Sequence, residues 1–99
     1  MAYVIEYSPE AEGHMRWLTM RQQRIVLDTV DRQLLHQPNI ETRNRKPMRL
    51  NPVAPWELRI GTLRVYYEMK NEPELIVTIL AIGLKERNEV RIGGERIKL

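Results

Sequence analysis

Hydrophobic and polar positions change period along this chain, and the changes mark its elements. Tyr3, Ile5 and Tyr7 alternate with Val4 and Glu6, which predicts a short opening strand. Ser8-Pro9-Glu10 then signals a helix start, with a hydroxyl to cap open amides, proline in the first turn and acid near the positive dipole end. That helix is predicted to run to about Met20, with Ala11, Met15 and Leu18 inward. From about Arg21 to His36, Ile25, Val26, Val30 and Leu34 recur at helical spacing, Leu27 and Leu35 widen the stripe, and Asp28, Asp31 and Arg32 fall on the other side. Gln37-Pro38-Asn39 ends the second helix, and the near absence of a linker predicts a helical hairpin.

Residues 38–55 hold four of the six prolines and read as loop with one short extended piece. Trp56–Ile60 alternates strictly, Gly61-Thr62 is a two-residue turn, and Leu63–Met69 alternates again. Asn71-Glu72-Pro73 turns the chain, and Leu75–Ile82, apolar on both faces, suits a central strand. Val90–Ile97 forms a small hairpin around Gly93-Gly94. Strand, two helices and then three strands predict an α+β fold in two layers, with both helices on one face of a mainly antiparallel sheet. At 99 residues it is a single domain, 1–99.

The alternation carries a chemical consequence. Trp56, Leu58, Ile60, Leu63, Val65, Tyr67 and Met69 share the core face, so Glu57, Arg59, Arg64 and Tyr66 are expected together on an open face. Arginine, carboxylate and phenol together can hold a phosphate and move a proton. Cross-strand ion pairing is the plainer reading of the same residues. Trp17 and Trp56 read as core or rim aromatics, His14 as a packing residue in its helix, and Gly93-Gly94 as a turn rather than a phosphate loop.

Composition narrows the chemistry. There is no cysteine, and His14 and His36 lie far apart, which argues against thiolate chemistry and metal centres built on Cys or His. The longest apolar run, Leu75 to Leu84, is too short to cross a bilayer, and no export signal is legible at the N-terminus, so a soluble cytoplasmic protein is expected. The net charge of +3 is unevenly placed: residues 1–42 carry −2, residues 43–70 carry +5, and residues 71–99 balance. Twelve of the sixteen cations are arginine, whose planar fork grips phosphate and stacks on bases. A nucleic-acid partner is the expectation, contacted through Arg43, Arg45, Lys46 and Arg49.

The ordered set of segments resembles the RelE/ParE superfamily of bacterial toxins from type II toxin–antitoxin systems. Carrying the resemblance are Ser8-Pro9-Glu10-Ala11, Arg45-Lys46-Pro47-Met48-Arg49, Trp56-Glu57-Leu58-Arg59-Ile60-Gly61, Leu63-Arg64-Val65-Tyr66-Tyr67-Glu68 and Ile79-Leu80-Ala81-Ile82-Gly83-Leu84-Lys85-Glu86-Arg87-Asn88. It implies a RelE-like fold and a toxin that cuts mRNA in the ribosomal A site through the ribose 2′-hydroxyl, with neither metal nor cofactor. It also implies a cognate antitoxin that masks the basic face in a hetero-oligomer, and no membrane partner.

Site residues carry over unevenly. Arg64 matches the arginine that faces the scissile phosphate. Lys85 stands where RelE-like enzymes place a phosphate-binding arginine, and Arg59 matches one of two basic residues of its strand. Glu57 replaces the other with opposite charge, and Arg91 stands where RelE has a C-terminal tyrosine used in proton transfer. Arginine stays protonated, so a base must come from elsewhere. Glu57 as acceptor and Tyr66 or Lys85 as donor make an alternative scheme, with Arg87 adding an RNA contact. The competing functions are a ParE-like inhibitor of DNA gyrase that cleaves nothing, and an interaction protein whose site has decayed.

Overall fold

A computed structural model of the chain describes residues 2–99. Strand β1 (Val4–Tyr7) leads directly into helix α1 (Pro9–His14), where the Ser8 hydroxyl accepts the Ala11 N–H at 3.1 Å and Glu10 and Glu12 sit in the first turn. The predicted first helix is too long: α1 stops at His14, a 3₁₀ turn covers Met15–Trp17, and Leu18 is extended. Thr19 and Gln22 explain the break. The Thr19 hydroxyl accepts the Gln22 N–H at 3.1 Å, and the Gln22 side chain accepts the Thr19 N–H at 2.9 Å, so a new helix starts there.

Helix α2 (Met20–Leu34) buries Val26, Val30 and Leu34 completely, each burial worth about 1.5–3 kcal/mol. Leu27 does not widen the stripe inward, being 44% exposed on the outer side. The α2 C-terminus is tied to the sheet. Arg45 donates to the carbonyls of Gln33 and Ile40, and the Leu35 carbonyl accepts the Tyr3 N–H at 2.6 Å.

Among the described residues the sheet has seven strands: the expected opening strand β1, the short extended piece β2 (Arg45–Pro47), the alternating β3 (Trp56–Ile60) and β4 (Leu63–Lys70), the apolar β5 (Ile76–Glu86), and the terminal hairpin of β6 (Glu89–Ile92) and β7 (Glu95–Ile97). Central β5 pairs antiparallel with β4 along one side. Its other side is shared, with β1 running parallel to Ile76–Ile79 and β6 antiparallel to Gly83–Glu86. β3 and then β2 extend the sheet beyond β4, and β7 closes the far end. Both helices pack on one face of this α+β arrangement, over Leu58, Val65, Tyr67, Val77, Ile79 and Ile82.

The opposite face is not open. A second cluster gathers Tyr66, Ala81, Ile92 and Ala54, with Met48, Val53, Leu80, Val90 and Ile97 against it. A bulge between Tyr66 and Tyr67 leaves Leu80 outside the ladder and available to this second cluster. Two irregular walls cover that face: the 48–55 loop and the β6–β7 hairpin. Asn51 shapes the loop by accepting the Val53 and Ala54 N–H groups and donating to the Arg49 and Ala54 carbonyls at 2.7–3.0 Å. No helix among the described residues is long and apolar enough to cross a membrane.

Candidate nucleic-acid cleft

Between those two walls lies a cleft of about 750 Å³, floored by β3, β4 and β5. The strand register builds its charge. Arg59 faces Arg64 across the β3–β4 ladder, Glu57 faces Tyr66, and Lys46 of β2 faces Glu57 from the other side. Gly83 stands opposite Arg64 on β5, and Lys85 follows two positions later on the same side. Gly83 must be glycine there, because a Cβ would come within 2.6 Å of the Arg91 carbonyl oxygen and 2.9 Å of Ile92.

Seven basic side chains line the cleft (Lys46, Arg49, Arg59, Arg64, Lys85, Arg96, Lys98) against two acidic ones, Glu57 and Glu89. Like charges directly opposite in a ladder are destabilising, so the Arg59–Arg64 pair costs the fold something unless an anion bridges it. The arginines are fixed before any ligand arrives. Arg64 is only 8% exposed, and its Nη1 donates to the Gly61 and Leu63 carbonyls at 2.6 and 2.9 Å. Those bonds leave Nε and Nη2 for a ligand oxygen. Arg59 Nε donates to Glu57 Oε1 at 2.7 Å, a contact that holds the half-exposed arginine over a carboxylate whose side chain is 10% exposed.

Of the residues read from sequence, Glu57, Arg59, Arg64, Lys85, Lys46 and Arg49 come together here. Five others do not line the cleft. Tyr66 is fully buried beneath the floor, its hydroxyl without a hydrogen-bond partner. Burial first and the Glu57 carboxylate second hold that phenol well above its usual range. It is therefore displaced from the expected open face by the second cluster that seals over it. Arg45 alternates onto the helix side, beside Leu58 in the ladder, and spends its guanidinium on Gln33 and Ile40. Arg91 likewise pairs with Leu84 and borders a hollow on the helix side, because alternation along β6 sends Val90 and Ile92 to the cleft side and Arg91 away from it. Arg43 is an exposed loop residue, and Arg87 occupies the β5–β6 turn with φ of 57°.

Asn51, Asn88, Arg96 and Lys98 line the cleft without having been singled out from sequence. Asn51-Pro52 is a turn signal that could have shown the first. Nothing local could have shown the others, since they reach the cleft only after the terminal hairpin folds back.

No protein-family model matches the sequence, and no curated protein matches it either. Among solved structures, a chain of the toxin–antitoxin complex RelBE2 from Mycobacterium tuberculosis superposes with a TM-score of 0.68 at 22% identity, over 86% of this chain and 100% of that one. The fold of this chain is therefore the RelE-like fold read from its sequence.

Proposed function

We propose that this chain, sharing its fold with a member of a toxin–antitoxin complex, is a cytoplasmic toxin that cleaves mRNA on the ribosome and is held in check by a cognate antitoxin. The observation that carries the reading is the pre-positioned Arg59–Arg64 pair on the cleft floor, two guanidinium groups in register with no counter-anion between them except Glu57 at one end. Such a pair matches a phosphodiester, which gains negative charge as the phosphorus becomes five-coordinate.

In this reading the ribose 2′-hydroxyl attacks the adjacent phosphorus, a 2′-O–P bond forms, and the P–O5′ bond breaks. Glu57 accepts the 2′-hydroxyl proton through Oε2, while Arg59 holds Oε1 and turns the carboxylate toward the cleft. Lys85, exposed on β5, donates the proton that the departing 5′-oxygen needs. The products are a 2′,3′-cyclic phosphate and a 5′-hydroxyl, and the protein supplies every proton transfer without a cofactor. Tyr66, sealed below the floor with its phenol pinned neutral, is excluded as the donor and serves as packing.

One observation favours the reading of a non-cleaving gyrase inhibitor: the Glu57–Arg59 contact at 2.7 Å is also what a purely structural ion pair looks like. A single 2′-deoxy residue at the A-site codon of mRNA on programmed ribosomes separates the two. Cleavage of the all-ribose message and none of the substituted one is expected. Equal cutting of both, or of neither, would remove the mechanism.

A further inference from the structure

On the helix side of the sheet lies a second hollow, of about 250 Å³, bordered by His14, Trp17, Glu86, Arg91 and the Gly93-Gly94 turn. Trp17 is 64% exposed, yet it is not loosely placed. The two glycines, at φ of 59° and 82°, lie flat against the helix end: a Cβ on Gly94 would fall 2.7–2.9 Å from three carbons of the indole six-membered ring. Gly93 meets His14 in the same way, its Cβ position 3.0 Å from the imidazole Cδ2. His14 is fixed in turn, because its Nδ1 accepts the Ile82 N–H at 3.2 Å, which leaves the ring proton on Nε2. One side of the indole is thus backed by peptide, and the ring is held in place with its remaining surface toward solvent.

Leu18, Ile82 and Leu84 make the apolar part of this hollow, and charge rims it: the exposed Arg91 and Glu86 border it, and the exposed Arg16 adjoins Trp17 in the chain. The exposed Met20 and Leu27 of α2 do not border it. An aromatic ring fixed in place, beside arginine, is what single-stranded nucleic acids use for base stacking, since every base has a π-face and the phosphate needs a cation close by.

We propose that Trp17 is a stacking platform for an unpaired base of the bound RNA, with Arg91 holding the neighbouring phosphate. The platform lies across the β6–β7 hairpin from the cleft, so a strand leaving the cleft over that hairpin reaches both. Glu86 offers an acceptor to a base amino group and turns the phosphate toward Arg91. The inference rests on the RNA-cleaving reading above and assigns Arg91 a binding role in place of the proton-transfer position that the family resemblance implied.

The test uses the full chain carrying Trp56→Phe, so that Trp17 is the only indole, and 2′-O-methyl RNA that cannot be cut. Two lengths are compared: a trinucleotide that fits the cleft alone, and a strand of about twelve nucleotides, within the usual site size for single strands. The longer RNA should quench the Trp17 emission. Trp17→Ala should weaken its binding by about fivefold to a hundredfold, the range for loss of one stacked base, while trinucleotide binding stays unchanged and Trp17→Tyr restores most of the loss. Affinity of the Ala variant for the longer RNA equal to that of its Trp17-containing parent would overturn the platform and leave the cleft reading intact. Absence of RNA binding at either length would overturn the cleft reading and the platform with it. Emission that answers to a partner protein but not to RNA would overturn the platform in favour of a protein-docking surface.

Discussion

The two faces of this sheet do different work with the same strands. On the helix face, β3, β4 and β5 present Leu58, Val65, Tyr67, Val77, Ile79 and Ile82 to a regular hairpin that seals them from water. On the other face the same strands present Glu57, Arg59, Arg64 and Lys85, and the cover is a proline-rich loop and a terminal hairpin that leave a cleft between them. One face is closed by periodic helices and carries the stability. The other is closed by irregular segments and keeps buried charge at the edge of an opening, where an arginine pair waits for an anion. The difference teaches that an alternating strand tells which residues share a face, but not whether that face meets solvent.

If the division is right, changes on the cleft face should remove chemistry and spare the fold, and changes on the helix face should do the reverse. Glu57→Gln gives the largest expected effect on chemistry. It keeps size and hydrogen bonding, so ribosome binding should persist while cleavage falls about 10²–10⁴-fold, measured in single-turnover assays. Cleavage at the wild-type rate would reduce Glu57 to an ion-pair partner of Arg59. Arg64→Ala should cost about 10²–10³-fold in the same assay, as expected for one lost charge-directed donor, with an unchanged far-ultraviolet spectrum.

Leu34→Ala tests the opposite face. Leu34, the last residue of α2, is fully buried, so about 2–5 kcal/mol of stability should be lost in urea titration, while the folded fraction cleaves normally. A drop in activity larger than the drop in folded fraction would show that the faces are not separable.

How far the sequence reached follows the same division. Period-2 segments located β3, β4 and the turn at Gly61-Thr62, and the apolar stripe located α2, because these elements bury one side against a partner; a run apolar on both faces located the central β5. Lys85 came from the family resemblance and Lys46 and Arg49 from the basic middle segment, whereas Arg59, Arg64 and Glu57's place beside Arg59 followed from counting along β3 and β4. Tyr66, Arg45 and Arg91 did not, for three separate reasons. Tyr66 was mislaid because the cover over it is a loop pinned by Asn51 side-chain bonds, which have no period. Arg45 belongs to a three-residue strand too short to show alternation, and Arg91 took its place from the family resemblance rather than from the pairing of β6 with β5. The end of the first helix was legible in principle, since Thr19 and Gln22 have capping-box spacing.

Smaller effects sharpen the boundary between the faces. Asn51→Ala removes four hydrogen bonds that hold the loop wall, so about 1–3 kcal/mol of stability should go, together with a rise in KM for RNA that exceeds the change in kcat. An unchanged KM would mean the wall does not touch the substrate. The smallest effect is pH-dependent. Burial lowers the His14 pKa below its ordinary 6.5, against the opposing charge of Glu10, so the folded protein prefers the neutral ring. Stability from this group is therefore full above about pH 6.5, the unfolded value, and is lost as pH falls toward the lower folded value. His14→Gln should flatten that part of a Tm-against-pH curve, and a slope unchanged by the substitution would place its origin elsewhere.

The central claim is that the charged face acts on mRNA. Brief induction of the wild-type gene and of its Arg64→Ala variant in growing cells, followed by mapping of mRNA 5′ ends, tests it most directly. The account predicts new ends phased with codons in the wild type and none in the variant, with 5′-hydroxyl termini. Intact messages in both, accompanied by an induced DNA-damage response in the wild type alone, would contradict it and leave the fold in the service of gyrase inhibition.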